Sequence, residues 1–569
     1  MDRREFLGLT GTCLASSLLR RHAAAGEARA SRPNVVLVMT DDQGYGDLGC
    51  LGNDQIVTPR LDAFHKQCTR LTNFHVDPTC SPTRSALMTG RYSTRTGVWH
   101  TIMGRSLLAA DETTIADVFK AAGYATGIFG KWHLGDNYPF RPQDRGFSET
   151  LCHGGGGVGQ TPDFWGNDYF DDTYWHNGVP TPYKGYCTDV FFDGALRFIE
   201  ANKGKRPFFC YIPTNAPHGP YNVAEKYSAI YQKKGIKGGR ANFWGMITNI
   251  DENMGRLLAR LDDWELADDT IVIFMTDNGT SAGLSGGRRG RKGSEFDGGH
   301  RVPFFIRWPR KIKAGQDIDT LAAHIDVLPT LADLCGIAVP EKLALDGTSL
   351  VPLLTGERVA WPDRTLFVHS QRIDHPRKWR KSAVMTQRWR LVNGKQLYDM
   401  AADPAQKTDV AKQHPQVVQQ LTKAYDAWWE SLKPRFGDYC RIVLGTEHEN
   451  PARLTCHDWH SGGCPWNHRA VRAAPWATGA WAVEIARGGR YEITLRQQPA
   501  DANAPIAADE AWVRIGTVEA SKPVPKGATA VAFTLDLKPC KADLETRFTD
   551  KRAGKSRGAF FAYVRRLPG

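Results

Sequence analysis

Four short apolar runs punctuate the first half of the chain, and each ends on polar residues. Val35 to Met39 leads into TDDQG, Tyr124 to Phe129 into GKWHLG, Pro207 to Pro213 into TNAPHGP, and Ile271 to Met275 into TDNG. Runs of this kind predict strands buried on both faces of a parallel sheet. Between them the apolar spacing turns helical. Thr58-Pro59 is a helix start, with Leu61, Phe64, Cys68 and Leu71 expected on one face. Thr113 to Ala122 turns Ile115, Val118, Phe119 and Ala122 inward, and Ile247 to Leu261 also reads as helix. The expected fold class is α/β, a large mixed and mostly parallel sheet with helices on both faces. In open sheets of this class ligands bind beyond the carboxyl ends of the strands. Asp41-Asp42, Lys131 with His133, His218, and Asp277-Asn278 are therefore expected to share one site.

The pattern changes further along. His414 to Leu432 is helical, in a smaller α+β subdomain expected over 361–440. From about Arg441 the apolar positions alternate: Trp481, Val483 and Ile485, then Tyr491, Ile493 and Leu495, with Gly488-Gly489 between them. That spacing predicts a hairpin, within a β-sandwich appended over 441–569. The catalytic α/β domain is expected over 31–360. Residues 1–30 carry Arg3-Arg4, an apolar run from Leu7 to Leu19 and the small-x-small Ala28-Arg29-Ala30. This order resembles a twin-arginine export signal and implies a periplasmic or secreted protein, the other reading being a first helix of the fold. No other stretch has the length to span a bilayer.

Composition adds less. A net charge of +12 fits a nucleic-acid partner or a small anionic substrate equally. The densest basic run is RKWRK, Arg377 to Lys381, which reads as a solvated face, so no nucleic acid is expected. The 12 cysteines form no regular framework. Cys456 and Cys464 bracket His457 and His460, which reads as a loop with a disulfide or free thiols, or as a zinc site.

The polar clusters carry chemistry. Asp41, Asp42, Asp277 and Asn278 are all oxygen donors, the set suited to calcium or magnesium. Acids at strand ends also cap helices; two such pairs, each after a buried strand, favour metal. Lys131, His133, His218, Lys292 and Arg84 can hold a dianion and move protons, although a lone His133 also fits a core and Lys131 a surface.

CSPTRSALMTGRY (80–92) resembles the signature of the type I, formylglycine-dependent sulfatases, and GYATGIFGKWHLG (123–135) resembles their second signature. MTDDQGYGD, TNAPHGP, TDNG and RGRKGSEFDGGHRVP (289–303) are similar to the remaining site segments, and LYDMAADP (397–404) to the segment after the main domain. The resemblance covers residues 33–432 and implies an alkaline phosphatase-like fold. It implies that a formylglycine-generating maturation enzyme oxidises Cys80 to 3-oxoalanine, whose hydrate attacks sulfur and then expels sulfate by collapsing to the aldehyde. Carried over by position, Asp41, Asp42, Asp277, Asn278 and an oxygen of modified Cys80 hold one calcium ion. Asp277 is the base for attack, and Arg84 steadies the assembly. Lys131, His218 and Lys292 bind sulfate oxygens, with His218 and Lys292 as the acid at the leaving oxygen. His133 takes the proton of the second hydroxyl. Asp297 stands where relatives more often have Glu, and is expected to orient neighbours.

The expected reaction is hydrolysis of a sulfated carbohydrate or aryl sulfate. The rivals are a phosphomonoesterase or phosphodiesterase of the same superfamily and a catalytically dead glycan binder. Substrate contacts are expected from HGGGGVGQTPDFWGNDYFDD (153–172) and nearby: His100, His153, Asp163, Trp165 and Asn167, with His369 and Gln371 further candidates. The same loop also reads as purely structural. Trp459, Trp466, Trp476 and Trp481 are candidates for a sugar platform on the β-sandwich.

Overall fold

Residues 32–357, 360–460 and 463–568 are described by a computed structural model; residues 1–30, expected to be an export signal, lie outside them. Ten strands form the large sheet, in the order Gln316–Ile318, Thr69–Leu71, Phe304–Arg307, Thr270–Thr276, Asn34–Thr40, Phe208–Pro213, Ala125–Lys131, Glu149–His153, Thr173–His176 and Val179–Pro182. The five from Thr270–Thr276 to Glu149–His153 run parallel to one another. Asn34–Thr40 lies centrally, with Val35 beside both Phe209 and Ile271. Its alternate residues explain its unbroken apolar character. Val35, Leu37 and Met39 enter one core, while Val36 and Val38 enter the other. The first core includes Ile115, Phe119 and Leu331 of the helices Ile115–Ala121 and Val327–Leu334. The second includes Phe191 and Met246 of Cys187–Asn202 and Gly239–Asp263. Because the central strands are parallel, Thr40, Lys131, Pro213 and Thr276 all end along one edge.

Two local expectations are corrected. The helix opened by Pro59 stops at Lys66, so Cys68 and Leu71 do not continue its face. Thr69–Leu71 instead pairs with Phe304–Arg307 and Gln316–Ile318. The β-ladder offers these residues backbone partners and burial that another helical turn would not.

The second correction concerns the hairpin. Ala480–Ile485 pairs with Ile442–Leu444 and Cys540–Asp550, whereas Gly489–Arg496 pairs with Val531–Leu537 and Phe561–Arg566. The two strands therefore belong to different sheets. Both alternating sets point into one core, where Trp481, Val483 and Ile485 join Tyr491, Ile493 and Leu495. Alternation reports which face is buried but not which strand is the neighbour.

Between these regions lies a four-stranded antiparallel sheet, Leu366–His369, Ser382–Met385, Trp389–Val392 and Gln396–Asp399. Helix Pro415–Leu432 covers it with Leu421, Tyr425 and Trp428. The C-terminal β-unit is docked rather than tethered: Leu107 and Phe140 share its core, and Met103 N donates to His457 O at 2.8 Å.

Candidate active site

Cys80 opens the helix Cys80–Thr89, every residue of which is buried. Arg84 follows one turn later and therefore lies on the same face. Its guanidinium donates to Lys131 O and to Asp277 Oδ2, both at 2.8 Å. This single side chain ties the Cys80 helix to two of the expected clusters. The potential ligand atoms of Asp41, Cys80 and Asp277 lie within 4.8 Å of one another. Asp42 takes φ 64°, a left-handed turn that lets its N–H donate to Asp277 Oδ1 at 3.1 Å. Asn278 Nδ2 donates to Asp42 Oδ1 at 2.8 Å. Lys131 Nζ sits 2.5 Å from Asp41 Oδ2, and Lys292 Nζ sits 2.5 Å from Asp42 Oδ1. His218 Nε2 lies 3.9 Å from Asp42 Oδ2. The structure thus gathers Asp41, Asp42, Cys80, Arg84, Lys131, His218, Asp277, Asn278 and Lys292. His133 stands beside them, its ring next to Gly156 and its charge opposed by Lys131.

Burial sets the electrostatics. It raises Asp277 to about 7, reinforced by the negative charge of Asp41 and opposed by Arg84. Asp42 is buried too, yet Lys292 and His218 hold it below the usual carboxylate range. Lys292 shows the converse: burial opposes its charge, but Asp42, Cys80 and Asp41 raise its pKa. Burial, then Lys131, pushes His133 well below the ordinary histidine value, so its ring is neutral. Its Nε2 is 2.9 Å from Thr101 O. A carbonyl only accepts, so Nε2 carries the proton and Nδ1 keeps its lone pair. That Nδ1 is buried without a hydrogen-bond partner. His218 is lowered to about 3 by burial and by Lys292, with Nδ1 donating to Gly219 O at 2.6 Å.

A divalent cation fits this donor set. Asp41 Oδ1 and Asn278 Oδ1 are buried oxygens with no hydrogen-bond partner, and buried polar atoms left unpaired are costly. Both belong to the all-oxygen cluster that hard cations select. A second group, His75, Asp297 and His300, also brings its donor atoms within 4.8 Å. There Arg390 Nε donates to Asp297 Oδ1 at 3.2 Å, supplying the positive charge a cation would bring. Asp297 thus belongs to a buried charged network with Arg390, His75 and His300.

The family models agree with the geometry. Residues 33–337 match the sulfatase model, and residues 292–429 match the model of the N-sulphoglucosamine sulphohydrolase C-terminal region. The chain belongs to the sulfatase family. It is 33% identical to human arylsulfatase A over 421 residues, covering 67% of this chain and 79% of that protein. It is 28% identical to the N-acetylgalactosamine-6-O-sulfatase of Bacteroides thetaiotaomicron over 505 residues, 71% of this chain and 94% of that one. Among solved structures it resembles Ps i-CgsB in complex with k-i-k-neocarrahexaose, with a TM-score of 0.64, 29% identity, and 70% and 92% of the two chains covered. Both family matches stop before the C-terminal β-unit.

The sulfatase site lies at the bottom of a cleft of about 690 Å³, lined by Asp42, Cys80, His133, His218 and Lys292, a size suited to a small ligand. One wall is the glycine-rich segment. A Cβ on Gly156 would lie 2.2 Å from His133 Cε1, and one on Gly157 would lie 3.2 Å from His218 Nδ1. The glycines let backbone pack directly against both rings.

Of the residues expected to contact substrate, Asn167 lines this cleft. The other four, His100, His153, Asp163 and Trp165, do not line it. Asp163 is buried, accepting from Gly154 N at 3.2 Å and Gly159 N at 2.9 Å; it braces the loop. His153 donates from Nδ1 to Gly154 O at 2.9 Å and faces a separate cavity of about 250 Å³. His100 accepts from Thr101 N at 2.7 Å. Trp165 packs on His468 and beneath Arg472. His369 pairs with Thr94 Oγ1 at 2.5 Å, and Gln371 Nε2 donates to Arg377 O. Polarity alone did not separate residues that brace a loop from residues that face its cavity.

Sequence reasoning missed Thr101, Gln160, Asp168, Tyr221, Ser281, Arg372, Asn467 and Arg469 on the cleft wall. The tryptophans were the available signal. Trp459 and Trp481 are buried, whereas Trp466 is 44% and Trp476 41% exposed; Trp466 alone of the four lines the cleft. Of the residues considered for zinc, Cys456 and Cys464 lie side by side, with Cys464 Sγ contacting Cys456 O at 2.9 Å, while His457 Nδ1 faces Asp458 and His460 stacks edge-on to Tyr439.

Proposed function

We propose that this sulfatase hydrolyses sulfate monoesters of a carbohydrate, with aryl sulfates as simpler substrates, and that it acts after oxidation of Cys80 to formylglycine and with one calcium ion. The observation that carries this reading is the convergence of Cys80, the oxygen donors and the cationic side chains at the bottom of one cleft. Asp41, Asp42, Asp277 and Asn278 are the residues that would hold the ion, which supplies positive charge to an attacking hydroxyl and to the sulfuryl oxygens. Hydrated formylglycine supplies an oxygen nucleophile together with a second hydroxyl that allows sulfate to leave.

The remaining work falls to the chain's own side chains. Lys292 and Lys131 present charged ammonium groups to sulfate oxygens. Lys292 and His218 lie toward the open cleft, where the leaving oxygen departs, and Lys292 carries a proton to donate there. His133 has its Nδ1 lone pair free, held in that tautomer by Thr101 O, and accepts a proton as sulfate is released. Arg84 fixes Asp277 and the carbonyl of Lys131, orienting two elements at once. The export reading places the enzyme in the periplasm or outside the cell; among the described residues no helix is long and apolar enough to cross a membrane.

Hydrolysis of 4-nitrophenyl sulfate and 4-nitrophenyl phosphate by the matured enzyme tests the reaction class. The sulfate is expected to be the better substrate by kcat/KM, and faster phosphate turnover would reject the reading.

A further inference from the structure

The C-terminal β-unit reaches the mouth of the cleft with side chains that the chemistry described above leaves unused. Trp466 and Arg469 lie on its wall, as does Arg372 from the segment after strand Leu366–His369. Both arginines are exposed, and their guanidinium groups have no hydrogen-bond or ion-pair partner among the described residues. This sets them apart from the inner cations, since Lys131 and Lys292 each contact an aspartate. Of the two acids lining the cleft, Asp42 is already paired with Lys292, which leaves Asp168. The outer cleft is therefore net cationic around one exposed aromatic ring.

The position of Trp466 is built into the fold. Thr161 N donates to Trp466 O at 3.1 Å and Thr161 Oγ1 to Pro465 O at 2.6 Å. His468 N donates to Gly159 O at 3.1 Å, and Asn467 forms a bridge with Gln160. The segment carrying Trp466 is thus fastened to the same glycine-rich wall that abuts His133 and His218. A backbone held this way keeps the ring at the cleft and leaves little segment freedom to lose on binding.

We infer that Trp466, Arg469 and Arg372 form an outer subsite that binds a second anionic group, on the sugar adjoining the one being desulfated. This deepens the sulfatase reading and rests on it. Trp466 offers a flat apolar face to a sugar ring. The two guanidinium groups offer paired donors to a planar or tetrahedral oxyanion. That anion is a sulfate or a uronate carboxylate. The substrate would then be an oligosaccharide with anionic groups on neighbouring residues rather than a lone sulfated monosaccharide.

Binding is measured by calorimetry on the full chain carrying Cys80→Ala, so the result does not depend on turnover. The probes are a chondroitin 6-sulfate tetrasaccharide, which adds a carboxylate; an iota-carrageenan tetrasaccharide, which adds only sulfates; and a neutral agarose tetrasaccharide. At least one anionic probe is expected to bind more tightly than the neutral one. Whichever does so identifies the second anion. Its affinity should fall about 10- to 100-fold in Arg372→Ala/Arg469→Ala and about 10-fold in Trp466→Ala. Arg372→Lys/Arg469→Lys should retain part of it, which covers any failure of the alanine variants to fold. Equal binding of all three probes, or unchanged affinity in folded variants, would overturn the inference. Hydrolysis of 4-nitrophenyl sulfate by the matured chain tests the catalytic reading separately. Loss there with rim-dependent binding intact would reject only the catalytic reading.

Discussion

The bottom of the cleft and its rim are assembled differently. At the bottom, the side chains come from strand ends, the loops that follow them and the first turns of a buried helix, and most already touch an oppositely charged neighbour. Arg84 contacts Asp277, Lys131 contacts Asp41, and Lys292 contacts Asp42. At the rim, Trp466, Arg469 and Arg372 arrive from later parts of the chain and face solvent. Buried, mutually paired charges fix atomic positions tightly, because leaving any one of them unpaired is costly. Exposed groups without partners contribute little to the fold and stay free to meet a ligand. The comparison separates what performs the reaction from what selects the substrate, and substitutions should respect that division.

The largest effect is expected at position 80. Cys80→Ala should lower kcat for 4-nitrophenyl sulfate by about 10⁴-fold or more, as loss of a nucleophile does elsewhere; steady-state assay of equally pure proteins measures it. Metal removal comes next. Chelation of the matured enzyme should reduce turnover by about 10²- to 10³-fold, and added calcium should restore it. A chelated enzyme that keeps full activity would remove the cation from the account of the cleft bottom.

Gly156→Ala tests the wall between bottom and rim. The new Cβ would lie 2.2 Å from His133 Cε1, so the ring must move. A displacement of that kind should lower kcat by about 10²-fold, while the aryl sulfate KM changes much less. The smallest effect is expected at Trp476, the other exposed tryptophan of the β-unit. It lies over Arg557 at 3.6 Å, away from the cleft. Trp476→Ala should cost about 1 kcal/mol or less of stability in a denaturant titration and leave the affinity for anionic tetrasaccharides unchanged. A strong effect on that affinity would blur the distinction between this ring and Trp466.

The same division describes how much could be read from the sequence. The central strands were legible because burial on both faces forces unbroken apolar runs, and parallel pairing places their polar ends together. Lys131 and Asp277 lie far apart in the chain, but each stands at a strand end, and Arg84 lies one turn into the helix that Cys80 opens. The partner of Gly489–Arg496 was not legible, because alternation carries no information about which sheet a strand joins. The substrate wall was harder still. Asp163 and Asn167 are four residues apart in one loop, yet Asp163 braces backbone amides while Asn167 reaches the cleft. Trp466 and Arg469 reach the cleft only because Pro465, Trp466 and His468 hydrogen-bond to a loop about 300 residues earlier, as in the pair Thr161 and Pro465 with a separation of 304. No local pattern encodes that encounter.

The central claim is that position 80 does its work as an oxidised residue in a sulfate-splitting site. Mass analysis of the peptide spanning Cys80, from protein made together with a formylglycine-generating enzyme, tests it most directly when paired with the assay of the same preparation. The account predicts a peptide that has lost one sulfur and two hydrogens and gained one oxygen, in a fraction that rises in proportion to sulfatase activity. Full activity in a preparation whose Cys80 remains an unmodified thiol would contradict it.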